Sequence, residues 1–192
     1  MTADSGVNAP RYPADLERAA VLADHRDVFI RPIRPDDAAE MRRAIATADA
    51  ETLYARFLGS SPHGDAAIGR LVEVDYVNRL ALVAFAPDGT GVGIARYEGE
   101  VGSDTAEVAV AVDPGWRQVG LGSLLLRELG EAAFRRGIRR FTALVLAENR
   151  SVLAVLAASG LAFSVEIHSG TSKILMRLEP QGPLPAGEVA TD

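Results

Sequence analysis

No cysteine occurs in the chain. That absence excludes a disulfide framework, a thiolate metal site and a cysteine nucleophile together. The three histidines, His25, His63 and His168, are far apart and show no metal-ligand spacing, so no metal is expected. The opening Met1-Thr2-Ala3-Asp4-Ser5-Gly6 lacks the basic stretch and apolar run of a secretory signal. No apolar run is long enough to cross a bilayer. The expectation is a soluble cytoplasmic protein with no membrane partner. A net charge of −6 leaves no basic stripe for neutralising phosphates, so no nucleic-acid partner is expected. An acidic surface suits a cationic substrate such as an amine, and serves solubility equally well.

What is present is the core of a single domain. At 192 residues and 48% hydrophobic content the chain suits one folded unit rather than a disordered one. No internal repeat is visible. Residues 1–27 lack periodicity and contain Pro10 and Pro13, which reads as a flexible N-terminal arm. Leu16, Ala19, Ala20 and Val21 suit a short docking helix within it. Residues 180–192 hold Pro180, Gly182, Pro183, Pro185 and Gly187 and read as a disordered C-terminal tail. The structured domain is expected over residues 28–179.

Inside it, Val28 to Ile33 reads as a strand whose Pro32 suggests a sheet edge. Pro35-Asp36-Asp37 then opens a helix, with Met41, Ala44, Ile45 and Ala48 at helical spacing. Helical stretches follow over Glu51 to Leu58 and Asp65 to Val74, separated by Ser60-Ser61-Pro62-His63-Gly64. Leu80 to Phe85 and Val92 to Tyr97 make a hairpin around Pro87-Asp88-Gly89-Thr90-Gly91. Thr105 to Val112 is a strand, Ser123 to Arg136 a helix, and Phe141 to Leu146 a strand, so a parallel pair joined by a right-handed crossover is expected. A helix over Asn149 to Ser159 stops at Gly160, and two strands, Phe163 to Ile167 and Ile174 to Leu178, close the domain. The fold class is therefore mixed α/β. A mostly antiparallel sheet carries helices on both faces and one parallel strand-helix-strand unit.

Arg117-x-x-Gly120-x-Gly122 lies between the central strand and a leucine-rich helix. Successive amides and the positive end of a helix converge there, which suits capture of a pyrophosphate. Glycines at 120 and 122 allow a sharp turn and close approach to a ligand, and Ser123 adds a hydroxyl. Taken alone, the pattern also fits a strand-to-helix turn that needs glycine for backbone reasons. The ATP/GTP loop requires Gly-Lys-Ser/Thr where this helix opens Gly122-Ser123-Leu124. The dinucleotide fingerprint requires a third small residue where Leu125 stands.

With Ala106-Glu107-Val108-Ala109-Val110-Ala111-Val112-Asp113-Pro114-Gly115-Trp116 before that loop, and Leu144-x-Leu146-Ala147-Glu148-Asn149 and Gly160-Leu161-Ala162-Phe163 after it, the chain resembles the GNAT acetyltransferase superfamily. Ile30 to Asp37, Tyr54-x-Arg56-Phe57 and Val74-Asp75-Tyr76 resemble more closely the GNAT domain of bacterial Pat-type protein lysine acetyltransferases. The resemblance implies acetyl-CoA as co-substrate. Backbone groups of Ala109, Val110, Ala111 and Val112 would pair with its pantetheine arm. Arg117, Gln118, Val119, Gly120, Leu121, Gly122 and Ser123 would hold its pyrophosphate. Asn149 would touch the thioester end, and asparagine is equally a good helix N-cap.

Transfer to an amine needs a neutral nucleophile, yet a lysine ammonium has a pKa of about 10.4, so a base must take a proton. No Gly-x-Ser-x-Gly elbow is present, which favours direct attack on the thioester over an acyl-enzyme. A backbone amide near Val110 would polarise the carbonyl. Glu107 is the one carboxylate in an apolar strand and stands where the family's glutamate falls, which makes it the candidate catalytic base. The competing reading is a carboxylate at a solvated strand end, paired with an arginine. Glu73, Asp75 and Glu98 are reserves, as bases or as binders of an incoming cation. Many superfamily members carry a tyrosine acid after the asparagine. Here Leu153-Ala154-Val155-Leu156-Ala157 occupies that stretch, so no acid is assigned. The expected acceptor is a protein lysine, with a small amine and a non-catalytic acyl-CoA sensor as alternatives, and a homodimer is left open.

Overall fold

The computed structural model describes residues 10–47, 64–168 and 170–180. The helix expected over Glu51 to Leu58, the break before Gly64 and the tail beyond residue 180 lie outside the described residues. Eight strands are present: β1 (Arg18–Val21), β2 (Asp27–Pro32), β3 (Arg79–Phe85), β4 (Gly91–Gly99), β5 (Thr105–Val112), β6 (Arg140–Leu146), β7 (Ala162–His168) and β8 (Thr171–Arg177). They form one sheet in the order β1-β2-β3-β4-β5-β6-β8-β7. Every neighbouring pair is antiparallel except β5 and β6. The described α-helices are α1 (Ala38–Thr47), α2 (Asp65–Val72), α3 (Leu121–Arg135) and α4 (Arg150–Ser159).

The centre of the sheet is apolar on both faces, which is why β3 reads as a continuous hydrophobic run rather than an alternating one. Leu80, Leu82 and Ala84 are buried, and so are Ala81 and Val83 between them. Helix α3 covers one face. Its Leu121, Leu125, Leu126, Leu129, Ala132 and Ala133 recur at helical spacing and are all buried. Gly93 on β4 lets this helix come close: a Cβ there would meet Leu121 and Leu125 at 3.1 Å. Helix α4 packs beside α3, is capped by Asn149 and ends at Gly160 in the left-handed region, with φ 75°.

Three expectations are corrected. Residues 10–27 are not a loose arm. Ala14–Leu16 is a 3₁₀ turn with Leu16 buried, and Arg18–Val21 is a strand rather than a helix, in register with β2 from Arg18↔Ile30 to Val21↔Asp27. Two alternating pairs are too short a period to read from sequence, and the partner strand supplies the ordering. β2 is accordingly an inner strand. Its Pro32 is tolerated because β1 stops pairing at Ile30, which leaves the proline without a strand partner on that side. Finally, α3 starts two residues earlier than expected, so Leu121 and Gly122 belong to its first turn and not to the loop.

Candidate active site

Strands β5 and β6 pair over only three positions, Thr105↔Arg140, Ala106↔Phe141 and Glu107↔Thr142. Both continue past that point, β5 against β4 as far as Val112 and β6 against β8 as far as Leu146. They therefore splay apart, and one backbone edge of Val108 to Val112 is left without a strand partner. A cleft of about 700 Å³ opens in the wedge. Its lining joins Ala109, Val110, Ala111 and Val112 to Arg117, Gln118, Gly120, Gly122 and Ser123, and to Asn149 across the gap. Residues far apart in sequence, Leu126, Ala143, Val145, Ile174 and Met176, complete its apolar wall. Their spacing reads as ordinary core, so the sequence carries no sign that they border a ligand cleft.

The loop at the wide end is built by local chemistry. Asp113 Oδ1 accepts the amide of Gly115 at 3.0 Å and starts a 3₁₀ turn over Pro114–Trp116. Arg117 Nε donates to the carbonyl of Val112 at 3.2 Å. Gln118 and Gly120 both lie at positive φ, 61° and 87°. Glycine adopts that conformation freely, but glutamine does so at a cost. Left-handed residues ahead of a helix turn successive amides to one side, the geometry of an anion nest. Gly122 is helical and serves differently, since its missing side chain leaves the seam between Val112 and Val155 open. The Ser123 hydroxyl donates to the Gly120 carbonyl at 3.1 Å, so it ties the loop to the helix. Val119 and Leu121 do not line the cleft: Leu121 is core, and the carbonyl of Val119 accepts the amide of Ala23 at 3.3 Å.

The residues just before β2 brace the loop from outside. The Arg26 guanidinium stacks on Trp116 at 4.0 Å from the ring centre and donates to the Gly115 carbonyl at 3.0 Å. Asp24 holds Arg26 in place at 2.5 Å. Nothing local in the sequence signals this brace.

At the far side of the wedge, Asn149 Oδ1 accepts the Ser151 hydroxyl at 2.6 Å and the Val152 amide at 3.4 Å. That is the N-cap role. Its Nδ2 has no partner among the described residues, so capping leaves the amide donor available toward the cleft. On α4, Ser151, Val152, Ala154, Val155 and Ala158 face the cleft, and none has a phenol, imidazole or carboxyl.

Glu107 stands on the last paired rung, where the wedge closes. It is exposed, between the buried Ala106 and Val108, and so points to the sheet face opposite α3. Among the described residues it makes no ion pair and no side-chain hydrogen bond; the arginine partner of the competing reading is absent from them. Asp75 is committed elsewhere. Its Oδ1 accepts the amides of Val77, Asn78 and Arg79 at 2.9, 2.8 and 2.8 Å. Burial pushes its pKa up, but those amides outweigh burial and hold it below the ordinary carboxylate value, which suits a turn and not a base. Glu73 lines a separate cleft with Tyr12 and Tyr76.

A splayed parallel pair, a glycine-bearing loop at a helix N-terminus and an uncommitted carboxylate at the apex frame one candidate site. The model of the acetyltransferase (GNAT) family matches residues 41–161, and the chain belongs to that family. It is 33% identical over 143 residues to an acetyltransferase of Pseudomonas aeruginosa, covering 72% of this chain and 77% of that one. It is 31% identical over 130 residues to the acetyltransferase Pat of Mycolicibacterium smegmatis, covering 67% of this chain but only 39% of that longer relative. Among solved structures, the GNAT domain of Pat from S. lividans superposes with a TM-score of 0.79 at 30% identity, over 88% of this chain and 100% of that one. The chain is thus an N-acetyltransferase, and acetyl-CoA is the co-substrate of its family.

Proposed function

We propose that this protein transfers the acetyl group of acetyl-CoA to lysine side chains of partner proteins by direct attack of the amine on the thioester. Glu107 carries the reading, as the uncommitted carboxylate at the closed end of the wedge. The structural likeness to the GNAT domain of Pat over 88% of this chain supports the lysine acceptor.

In this reading the unpaired edge of Ala109 to Val112 takes the pantetheine arm as a further strand would. The pyrophosphate lies on the amides between Arg117 and Ser123, and Asn149 Nδ2 donates near the thioester. Glu107 accepts the proton of the attacking amine, directly or through one water. The thiolate leaves without a side-chain acid, since α4 offers none to the cleft.

Mass spectrometry tests the acceptor after incubation with acetyl-CoA, candidate proteins and free amines. The expected result is acetyl-lysine on protein substrates. Lys173 is the only lysine of the chain, so self-modification is confined to one peptide and is easily separated. Acetylation of free amines alone would sink the lysine acceptor. Failure of coenzyme A to raise the melting temperature would sink the cofactor site itself.

A further inference from the structure

The strand registers place one row of side chains across the face opposite α3: Arg79 on β3, Glu98 on β4, Glu107 on β5 and Thr142 on β6. Glu98 and Glu107 are direct cross-strand partners. Side chains so placed have Cβ atoms roughly 4.5–5.5 Å apart, and like charges there destabilise the sheet. Beside this pair, two residues along β4, lies Arg96. It is 7% exposed, pairs with Glu98 through Nη2, and leaves Nη1 buried with no partner. Burial pushes its pKa down, with Glu98 opposing. Opposite Arg96 stands Ala109, whose methyl keeps the space beside the wedge clear.

Each of these arrangements costs stability, and neither is needed to form β4 or β5. A neutral pair and a buried aliphatic residue would satisfy the sheet better. They occur together at the apex of the wedge, next to the proposed base. Glu98 is 52% exposed at its side chain, so it can meet a substrate, and the buried Arg96 fixes its position.

We propose that Glu98 is a second working carboxylate of the transfer site: it receives the ammonium of the acceptor while Glu107 takes the proton, and Arg96 is the positioning residue that aims Glu98. The inference rests on the acetyl-transfer reading and adds that the acceptor enters as a cation from the face opposite α3. Division of labour follows from the surroundings. Glu98 has Arg79 across β3 and Arg96 along its own strand. Glu107 has only Glu98 and the neutral Thr142 across from it. The carboxylate with cationic neighbours is the one held in a fixed position to meet an ammonium.

Wild type, Glu98→Gln, Arg96→Lys and Arg96→Met are compared with acetyl-CoA and two acceptors, a lysine-containing peptide and a small diamine. Glu98→Gln and Arg96→Met should raise the KM of the amine about tenfold, the worth of one charge-assisted contact. The KM of acetyl-CoA should stay unchanged and kcat should fall only slightly. Arg96→Lys should recover part of the amine affinity. A wild-type amine KM in Glu98→Gln overturns the proposal. So does a loss of melting temperature that moves every kinetic parameter together. Turnover of the diamine but not the peptide would overturn the lysine acceptor alone, and the Glu98→Gln comparison is then decided on the diamine. If neither amine is consumed, diamine is added to the coenzyme A-bound protein. A rise in melting temperature that Glu98→Gln lacks supports the pair, and equal behaviour overturns it.

Discussion

Glu107 and Thr142 form the last rung of the parallel ladder between β5 and β6, and past that rung the strands separate. The Glu107 carboxylate stands at this junction and is not part of the cleft's lining. Glu107→Gln keeps the shape and removes the proposed base. The expected result is a fall in kcat of about 100-fold or more, with the KM of acetyl-CoA unchanged. A variant with the wild-type rate across neutral pH would show that the proton goes elsewhere.

The Arg26–Trp116 stack couples the N-terminal residues to the loop that the cofactor is proposed to occupy. Arg26→Ala should raise the KM of acetyl-CoA about fivefold, consistent with loss of a stacking contact and a charged hydrogen bond, while kcat and the amine KM hold. Arg26→Lys should recover little, since an ammonium lacks the planar stack. Unchanged acetyl-CoA kinetics in both variants would reduce the brace to packing.

Asn149 caps α4 through Oδ1, and its Nδ2 is proposed to serve the cofactor. Asn149→Asp retains the cap oxygen and deletes the amide donor, so the melting temperature should hold while the KM of acetyl-CoA rises. Asn149→Ala should lose both, with about 1 kcal/mol of stability gone with the cap. Identical cofactor kinetics in wild type and Asn149→Asp would leave the residue as a cap and nothing more.

Arg31 and Asp37 are joined by two hydrogen bonds, at 2.8 and 2.6 Å, and Asp37 also accepts the amide of Arg34 at 2.7 Å. Burial pushes the Asp37 pKa up, but Arg31 and that amide prevail and depress it. A depressed carboxylate stabilises the fold fully above its unfolded pKa, about 3.9, and loses that contribution as pH falls through the folded value. Asp37→Asn should therefore cost about 2 kcal/mol at neutral pH, and the gap to wild type should close below about pH 4. Denaturant melts at pH 7 and pH 3 check it. A gap that stays constant would assign the cost to shape rather than charge.

Much of the candidate site is legible in the sequence because its residues are local in the chain. Glu107, the stretch Ala109 to Val112, Gly120 and Asn149 lie within single elements whose periods and caps are short-range. The structure places them around one wedge as the order of elements requires. Leu126, Ile174 and Met176 were not legible as cleft residues, because their apolar spacing is the same whether they border a cavity or a neighbour. The strand at Arg18–Val21 was missed since four residues of β-sheet gain their stability from a partner strand, not from their own sequence. Gln118 reads from sequence as one of the residues that would hold the pyrophosphate, but its left-handed backbone, φ 61°, carries no local sequence signal.

By itself the sequence determined the element order, the mixed sheet with one parallel crossover, the exclusion of thiol chemistry and the position of the glycine-bearing loop. These depend on residue type, hydrophobic period and capping, all of which act within a few residues. Only the tertiary structure decided where β5 and β6 part, that Arg26 braces the loop, and that Glu98 rather than Asp75 faces Glu107. Those are matters of register between strands. A shift of one residue would turn each side chain to the other face, and long-range packing alone fixes it.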